Sequence, residues 1–223
     1  MDLSAGYDAW LAERQTASSN FRREHRKVDA LLKAPGTVVA HDVTDDAAFD
    51  RLLELKQVAY HQSGHFPLFS LEWPRRLLEA LAERKASDAR GVLSTLHIEG
   101  ELAAITYCMR SERVLHYWFP AYESRYAKQK PGLALLFSLA QWSAGEGIKE
   151  LHLGLGGTQY KRQLATYMAP VRAGALALAA PQKIATSASS LAARIEGRHR
   201  LLDIPAKFAR KYHRVMLAGA LRA

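Results

Sequence analysis

The chain of 223 residues has one cysteine, Cys108. That excludes an internal disulfide. Its place in an apolar strand pattern favours a buried structural thiol over a nucleophile. No apolar run approaches the ~20 residues of a membrane-spanning helix. The start, Met1-Asp2-Leu3, lacks the basic-then-apolar pattern of a secretory leader, so the expected location is cytoplasmic. Metal-ligand patterns are just as thin. His61 and His65 lie four apart across Gly64 with no thiol or acidic partner close by, which reads as a surface loop or the edge of a pocket and not as a metal site. Acidic residues are outnumbered, with 22 Asp and Glu against 31 Lys and Arg, for a net charge of +9. That excess suits anionic ligands without choosing among them.

Hydrophobic residues make up 48% of the chain, enough to bury a substantial core. Residues 4–33 read as one long helix, with Tyr7, Trp10, Leu11, Phe21, Val28 and Leu31 on one side. Arg22, Arg23, Arg26 and Lys27 form the opposite, basic face. It is a solvated face or, more sharply, an RNA-binding one. Pro35-Gly36 ends this helix. Thr37–His41 is a short β-branched strand. Asp45 or Asp46 caps a helix to about Gln62, and a further helix spans residues 72–86. Strands at 92–98, 102–109 and 114–119 follow, joined by tight two-residue turns at Glu99-Gly100 and Ser111-Glu112. They form an antiparallel meander. A last strand is expected at 171–179. Beyond Pro181 the residues 183–200 and 207–222 read as helices. From Arg194 onward eight Lys and Arg face Glu196 and Asp203, leaving about +6. This tail either packs on the domain or meets an anionic surface or partner.

The organising stretch is Val114 to Arg162. It runs apolar strand, aromatic-rich loop, Pro-Gly, amphipathic helix, glycine stop, strand, glycine-rich loop, Tyr-Lys. Pro131 suits the first helical position because its missing N–H needs no partner there. Leu135, Leu136, Leu139, Ala140 and Ser143 give the helical spacing. Gly145 and Gly147 stop the helix, and Lys149 to Leu153 alternates as a strand. A glycine turn leading into a helix N-terminus is a ready anion site. The N–H groups of Gly132, Leu133 and Ala134 lack helical acceptors, and the helix dipole adds positive charge. Lys128 and Lys130 stand beside it.

Gln129-Lys130-Pro131-Gly132-Leu133-Ala134 fits the pattern [Q/R]-x-x-G-x-[G/A]. The chain thereby resembles the GNAT acyltransferases, in which such a loop cradles the coenzyme A pyrophosphate. The wider run Tyr117, Ala121-Tyr122, Tyr126-Ala127-Lys128, Pro131-Gly132, then Gly154, Gly156 and Tyr160-Lys161, resembles one GNAT branch. That branch holds acetyltransferase-like proteins linked to bacterial cellulose and polysaccharide synthesis, and is related to the Fem-type transferases. The likeness covers roughly residues 37–180. It implies an α/β (α+β) mixed sheet of GNAT type at 36–180, flanked by an N-terminal helix (1–35) and basic C-terminal helices (181–223).

The resemblance also implies a chemistry. The pantetheine arm of an acyl-CoA would lie where two strands splay, with residues 117–121 on one side and 151–155 on the other. Phe119, Ala121, Lys128, Gln129, Lys130, Gly132, Leu133 and Ala134 would hold the cofactor. Acyl transfer to an amine needs a base, oxyanion stabilisation and a proton for the leaving thiolate. His116 is the candidate base or a hydrogen-bonded strand histidine, and His152 is base or bystander. Glu123 acts through water or caps a turn. Tyr160 is the candidate acid or thiolate partner, or an aromatic packing on the glycine loop. Lys161 matches the Phe/Tyr-Lys lysine of Fem-type enzymes, which contacts phosphate or the acyl group. Pro120 cannot donate an N–H and belongs where strand pairing is broken.

The expected function is N-acyl transfer from acetyl-CoA or another acyl-CoA, without a metal, to an amine of a sugar, peptide or small metabolite, in polysaccharide or envelope synthesis. The alternatives are a Fem-like aminoacyl-tRNA-dependent transferase and a non-catalytic subunit of a polysaccharide assembly. Members of that branch often carry two lobes with the acceptor between them. Here one lobe is legible, so a homodimer mate or a partner lobe could supply the rest, or activity could be lost.

Overall fold

The computed structural model describes residues 1–84 and 88–170. The chain forms two units, Met1–Met168 and Ala169–Ala223, and the sheet with its covering helices belongs to the first. The strand expected at 171–179 and the two basic helices lie outside the described residues.

Among the described residues five strands form one sheet in the order β1-β2-β3-β4-β5. They are β1 Thr37–His41, β2 Arg90–Ile98, β3 Glu101–Arg110, β4 Val114–Tyr122 and β5 Glu150–His152. The first four form an antiparallel meander, and β5 runs parallel to β4. The β2–β3 turn places Glu99 at φ 53° and Gly100 at φ 81°. Both residues at positive φ make the two-residue connection that matches strand twist. The β3–β4 connection is longer than expected, Ser111 to Arg113, and is closed by Ser111 N–H donating to the Val114 carbonyl at 2.8 Å.

The sheet has a helical layer on each face. On one side α3 (Asp46–Gln62) and α4 (Glu72–Glu83) bury Phe49, Leu52, Leu53 and Leu78 against Leu93, Ile105 and Tyr107. On the other, α5 (Pro131–Gly145) packs on Leu96, Ala104, Leu115 and Leu151. Burying one such leucine is worth about 2 kcal/mol.

Two readings of the sequence need correction. The long N-terminal helix is two helices, α1 (Tyr7–Ala17) and α2 (Ser19–Leu32). Ser18 is extended, at φ −151° and ψ 120°, and its hydroxyl caps α2 by accepting the Phe21 N–H. The second correction concerns α5, which is not amphipathic. Its buried residues include Ala134, Leu135, Leu136, Phe137, Leu139, Ala140 and Ser143, more than one face can hold. The α1–α2 hairpin covers the side away from the sheet, and Trp10 and Phe21 pack on Phe137 as tilted rings with centroids 5.9 and 5.7 Å apart. A helix closed in on both sides is apolar all round.

Among the described residues no helix is long and apolar enough to cross a membrane.

Candidate active site

β4 and β5 pair over only three residues, Val114–His116 against Glu150–His152. β4 then continues to Tyr122 while the partner segment leaves the sheet through Gly154 (φ 77°) and Gly156 (φ 90°). The two segments therefore separate. A cavity of about 520 Å³ lies at that separation. Its walls are Tyr117 and Pro120–Tyr122 of β4, Lys130–Leu133 at the start of α5, and Tyr160 of α6 (Gln159–Leu164). Asn20 and Glu24 of α2 close one side.

At the α5 terminus Lys130 is left-handed, at φ 56° and ψ 48°. A non-glycine residue there costs about 1–2 kcal/mol, and the turn aims the first helical peptides at the cavity. Three free donors were expected at residues 132–134. The Lys130 carbonyl takes two of them, from Leu133 at 3.0 Å and Ala134 at 3.1 Å. The Gly132 N–H remains without an acceptor among the described residues. A Cβ on Gly132 would meet only Tyr122 Cδ1, at 3.5 Å, an ordinary contact. The fold itself thus has no need of glycine there, although glycine in a helix costs about 1 kcal/mol against alanine.

Of the residues singled out in the sequence, Ala121, Lys130, Gly132, Leu133 and Tyr160 come together around the cavity. The others lie elsewhere. Lys128 and Gln129 are exposed on a 3₁₀ turn, Ser124–Gln129, which was expected to be loop. Ala134 is fully buried and does not line the cavity. Phe119 packs on Phe69 on the α3 side, with centroids 5.1 Å apart. Glu123 is gripped by Arg51 through Oε1 at 2.6 Å and Oε2 at 3.1 Å. That guanidinium holds its carboxyl below the usual carboxylate range, which weakens it as a base.

Leu115 and Tyr117 belong to the α5-side core, so His116 between them faces the α3 side. Its ring stands edge-on to His152 at 4.9 Å. His152 Nε2 lies 2.8 Å from Glu150 Oε2, which also accepts the Tyr167 hydroxyl at 3.0 Å. Burial, followed by the His152 charge, lowers the pKa of His116, so the ring is neutral and able to accept a proton near pH 7. Lys161 does not line the cavity. Its Nζ donates to the Leu155 carbonyl at 2.8 Å, and burial lowers its pKa. Burial likewise raises the Tyr160 phenol. Cys108 is fully buried and burial pushes its thiol up to about 12, so it is structural.

Sequence reasoning missed three residues. Asn20 and Glu24 reach the cavity only because α2 folds back on α5. Glu24 pairs with Lys130, one cavity wall bonding to the other. The third is Lys56 of α3, half-buried with Nζ 3.3 Å from the Pro120 carbonyl. Its signal was available, since it continues the apolar stripe Phe49, Leu52, Leu53 toward Tyr60.

A mixed sheet whose fourth and fifth strands separate over a cavity, with a crossover helix aimed into it, is the layout of an acyl-group transferase. The acetyltransferase (GNAT) domain family matches residues 18–162, well over half of the chain. The chain belongs to that family and is an acyltransferase enzyme. No curated protein sequence gives a match. Among solved structures it is similar to an aminoglycoside acetyltransferase from an uncultured soil metagenomic sample, in complex with sisomicin. The identity is 12% and the TM-score 0.47, over 65% of this chain and 97% of that one. It is also similar to a GNAT family acetyltransferase of Staphylococcus aureus, with 12% identity and a TM-score of 0.42 over 64% and 99%. The assignment rests on the domain match.

Proposed function

We propose that the protein is an N-acyltransferase that takes its acyl group from an acyl-CoA and passes it to an amine. The observation that carries this reading is the cavity joining the free Gly132 N–H at the α5 terminus to the β4–β5 opening. In this reading the diphosphate rests on the Gly132 N–H and the helix dipole, with Lys130 as a mobile counter-charge. The pantetheine runs along Pro120–Tyr122, and the thioester reaches the opening. There the amine attacks from the α3 side.

His116 accepts the proton of the attacking amine, steadied by the line of His152, Glu150 and Tyr167. Tyr160, beside the cavity with its phenol kept protonated by burial, supplies a proton to the leaving thiolate. Lys161 holds the Leu155 carbonyl and shapes the far lip of the opening. Glu123 anchors the end of β4 through Arg51.

The acceptor class is a sugar, peptide or small metabolite, with polysaccharide or envelope synthesis in the cytoplasm as the setting. The second reading is a Fem-like transferase using aminoacyl-tRNA. The basic residues Arg22, Arg23, Arg26 and Lys27, exposed or paired only locally on α2 beside the cavity, favour it. Calorimetry with coenzyme A, acetyl-CoA and tRNA separates the two. Micromolar coenzyme A binding supports the first and binding of tRNA alone supports the second. Binding of neither leaves an assembly subunit, standing alone or completed by a second lobe or copy.

A further inference from the structure

Pro120 leaves a gap in β4 that Lys56 fills. The Glu123 N–H donates to the Ala103 carbonyl at 3.0 Å. In an antiparallel pair hydrogen-bonded and non-hydrogen-bonded positions alternate. Ala103–Glu123 and Ile105–Ala121 are therefore bonded pairs, and Thr106–Pro120, the next pair along, is not, given the register. The backbone N and O of Pro120 thus point away from β3, toward the side from which β5 has departed. Any other residue at 120 would aim an N–H into that opening. Proline aims none.

The Lys56 Nζ stands 3.3 Å from the Pro120 carbonyl, on that same side of the strand. N and O of one strand residue face the same way, so the amine lies beside the place where the missing N–H would point. Its stem runs from α3, and Nζ is 5.2 Å from the centre of the Tyr60 ring. No carboxylate pairs with it among the described residues. A lysine on a buried stripe, held by a carbonyl and a ring alone, retains a donor for a further partner.

Acyl transfer needs a donor where the carbonyl oxygen becomes an oxyanion. We propose that the Lys56 ammonium donates to the acyl carbonyl oxygen in the β4–β5 opening, in place of the backbone N–H that Pro120 lacks. This rests on the acyltransferase reading above. The acceptor nitrogen attacks the thioester carbon, the C–N bond forms, and the carbonyl π pair moves onto oxygen opposite Lys56. Collapse restores the carbonyl and breaks the C–S bond. The thiolate leaves with the electron pair and takes a proton, while the amine proton goes to the base. Lys56 gives up no proton.

The test uses the full chain with acetyl-CoA labelled with carbon-13 at the carbonyl, followed by isotope-edited infrared spectroscopy. In the native protein the bound carbonyl stretch lies below its frequency in buffer. Lys56→Arg retains part of that shift. Lys56→Met, which keeps the stem against Tyr60, returns the stretch to the buffer value, while calorimetric affinity for coenzyme A stays within about twofold. An unchanged stretch in Lys56→Met overturns the proposal. So does an acetyl group found on Lys56 by mass spectrometry, because an acylated nitrogen carries no charge. If the native chain fails to bind acetyl-CoA, the acyltransferase reading falls and takes this one with it.

Discussion

The Glu24 carboxylate and the Lys130 ammonium meet across the mouth of the cavity, one from the N-terminal hairpin and one from the turn that starts α5. Lys130, followed by Lys27 and Arg23, holds the Glu24 carboxyl below its usual range. In the proposed binding mode an incoming diphosphate has to take Lys130 from this pair and then sit beside an acid. Glu24→Gln is expected to tighten coenzyme A binding two- to fivefold at low salt, because it removes that repulsion. Lys130→Ala is expected to weaken binding by about 1 kcal/mol, less as salt rises, since the charge is half-exposed and screened. Titration calorimetry at two ionic strengths measures both. A Glu24→Gln protein that binds more weakly would make Glu24 a ligand for the coenzyme and not its competitor.

Gly132 gives a sharper contrast, because stability and binding should move in opposite directions. The apo fold has room for a Cβ there. Gly132→Ala should therefore stabilise α5 by about 0.5–1 kcal/mol. The same methyl group stands where the proposed binding mode brings a phosphate to the N–H, so coenzyme affinity should fall. Gly132→Val should abolish binding with the helix intact. Thermal melts and calorimetry on the same samples decide. A stable alanine variant with native affinity would mean that the anion rests elsewhere.

The order of strands and helices was legible because periodicity and turn residues are local. Pro131 at the helix start, Glu99-Gly100 at a hairpin and the β-branched run at Thr37 each announce themselves within a few residues. The residues that line the candidate site were legible only where they coincide with such a motif, as at Lys130–Leu133 and Tyr160. Glu24 could not be placed, since its role depends on where α2 docks. The break at Ser18 was hidden because apolar spacing continues across it, although serine is a good cap. His116 and Lys56 share a sheet face that becomes evident only with the register. The burial of α5 on both sides was written in its apolar content, but the covering hairpin was not.

His41 makes stability depend on pH. Its ring lies between Ser94 Oγ at 3.1 Å and Ser138 Oγ at 2.9 Å, and stacks on Trp142 at 5.4 Å. Burial lowers its pKa to about 4. The unfolded value is about 6.5, so between these limits the folded state binds fewer protons. The contribution is complete above pH 6.5 and is lost as pH falls toward 4. Allowing for partial exposure, the loss should be about 2 kcal/mol or less. Urea unfolding at pH 7, 6 and 5, native against His41→Asn, measures it. Equal slopes in the two proteins would remove His41 as the cause.

Ser143 is the small polar member of the α5 stripe. It is fully buried and its hydroxyl has no hydrogen-bond partner among the described residues. An unsatisfied buried hydroxyl costs about 1–3 kcal/mol. Ser143→Ala removes the cost and keeps the volume nearly constant, so it should raise stability by about 1 kcal/mol without touching the cavity. Denaturant unfolding gives the sign directly. A destabilised alanine variant would show that the hydroxyl finds a partner in solution.

Lys161 separates a residue that shapes the opening from one that binds the coenzyme. Its ammonium is fixed on the Leu155 carbonyl, outside the cavity wall. The nearby Gly154 is left-handed, and a Cβ there would stand 3.7 Å from the Tyr117 carbonyl and 3.8 Å from Lys161 Nζ. The lysine therefore braces the loop that faces β4 across the opening. Under the proposed binding mode, losing the brace should disturb the position of the thioester and leave the diphosphate, on the far side of the cavity, in place. Lys161→Ala is expected to lower turnover by roughly tenfold or more with coenzyme affinity nearly unchanged, because only interactions stronger in the transition state raise the rate constant. Lys161→Arg, which keeps a donor of similar reach, should recover part of it. Single-turnover rates with acetyl-CoA beside calorimetric affinities make the comparison. A variant that loses affinity and keeps its rate would move Lys161 from the lip of the opening to the coenzyme itself.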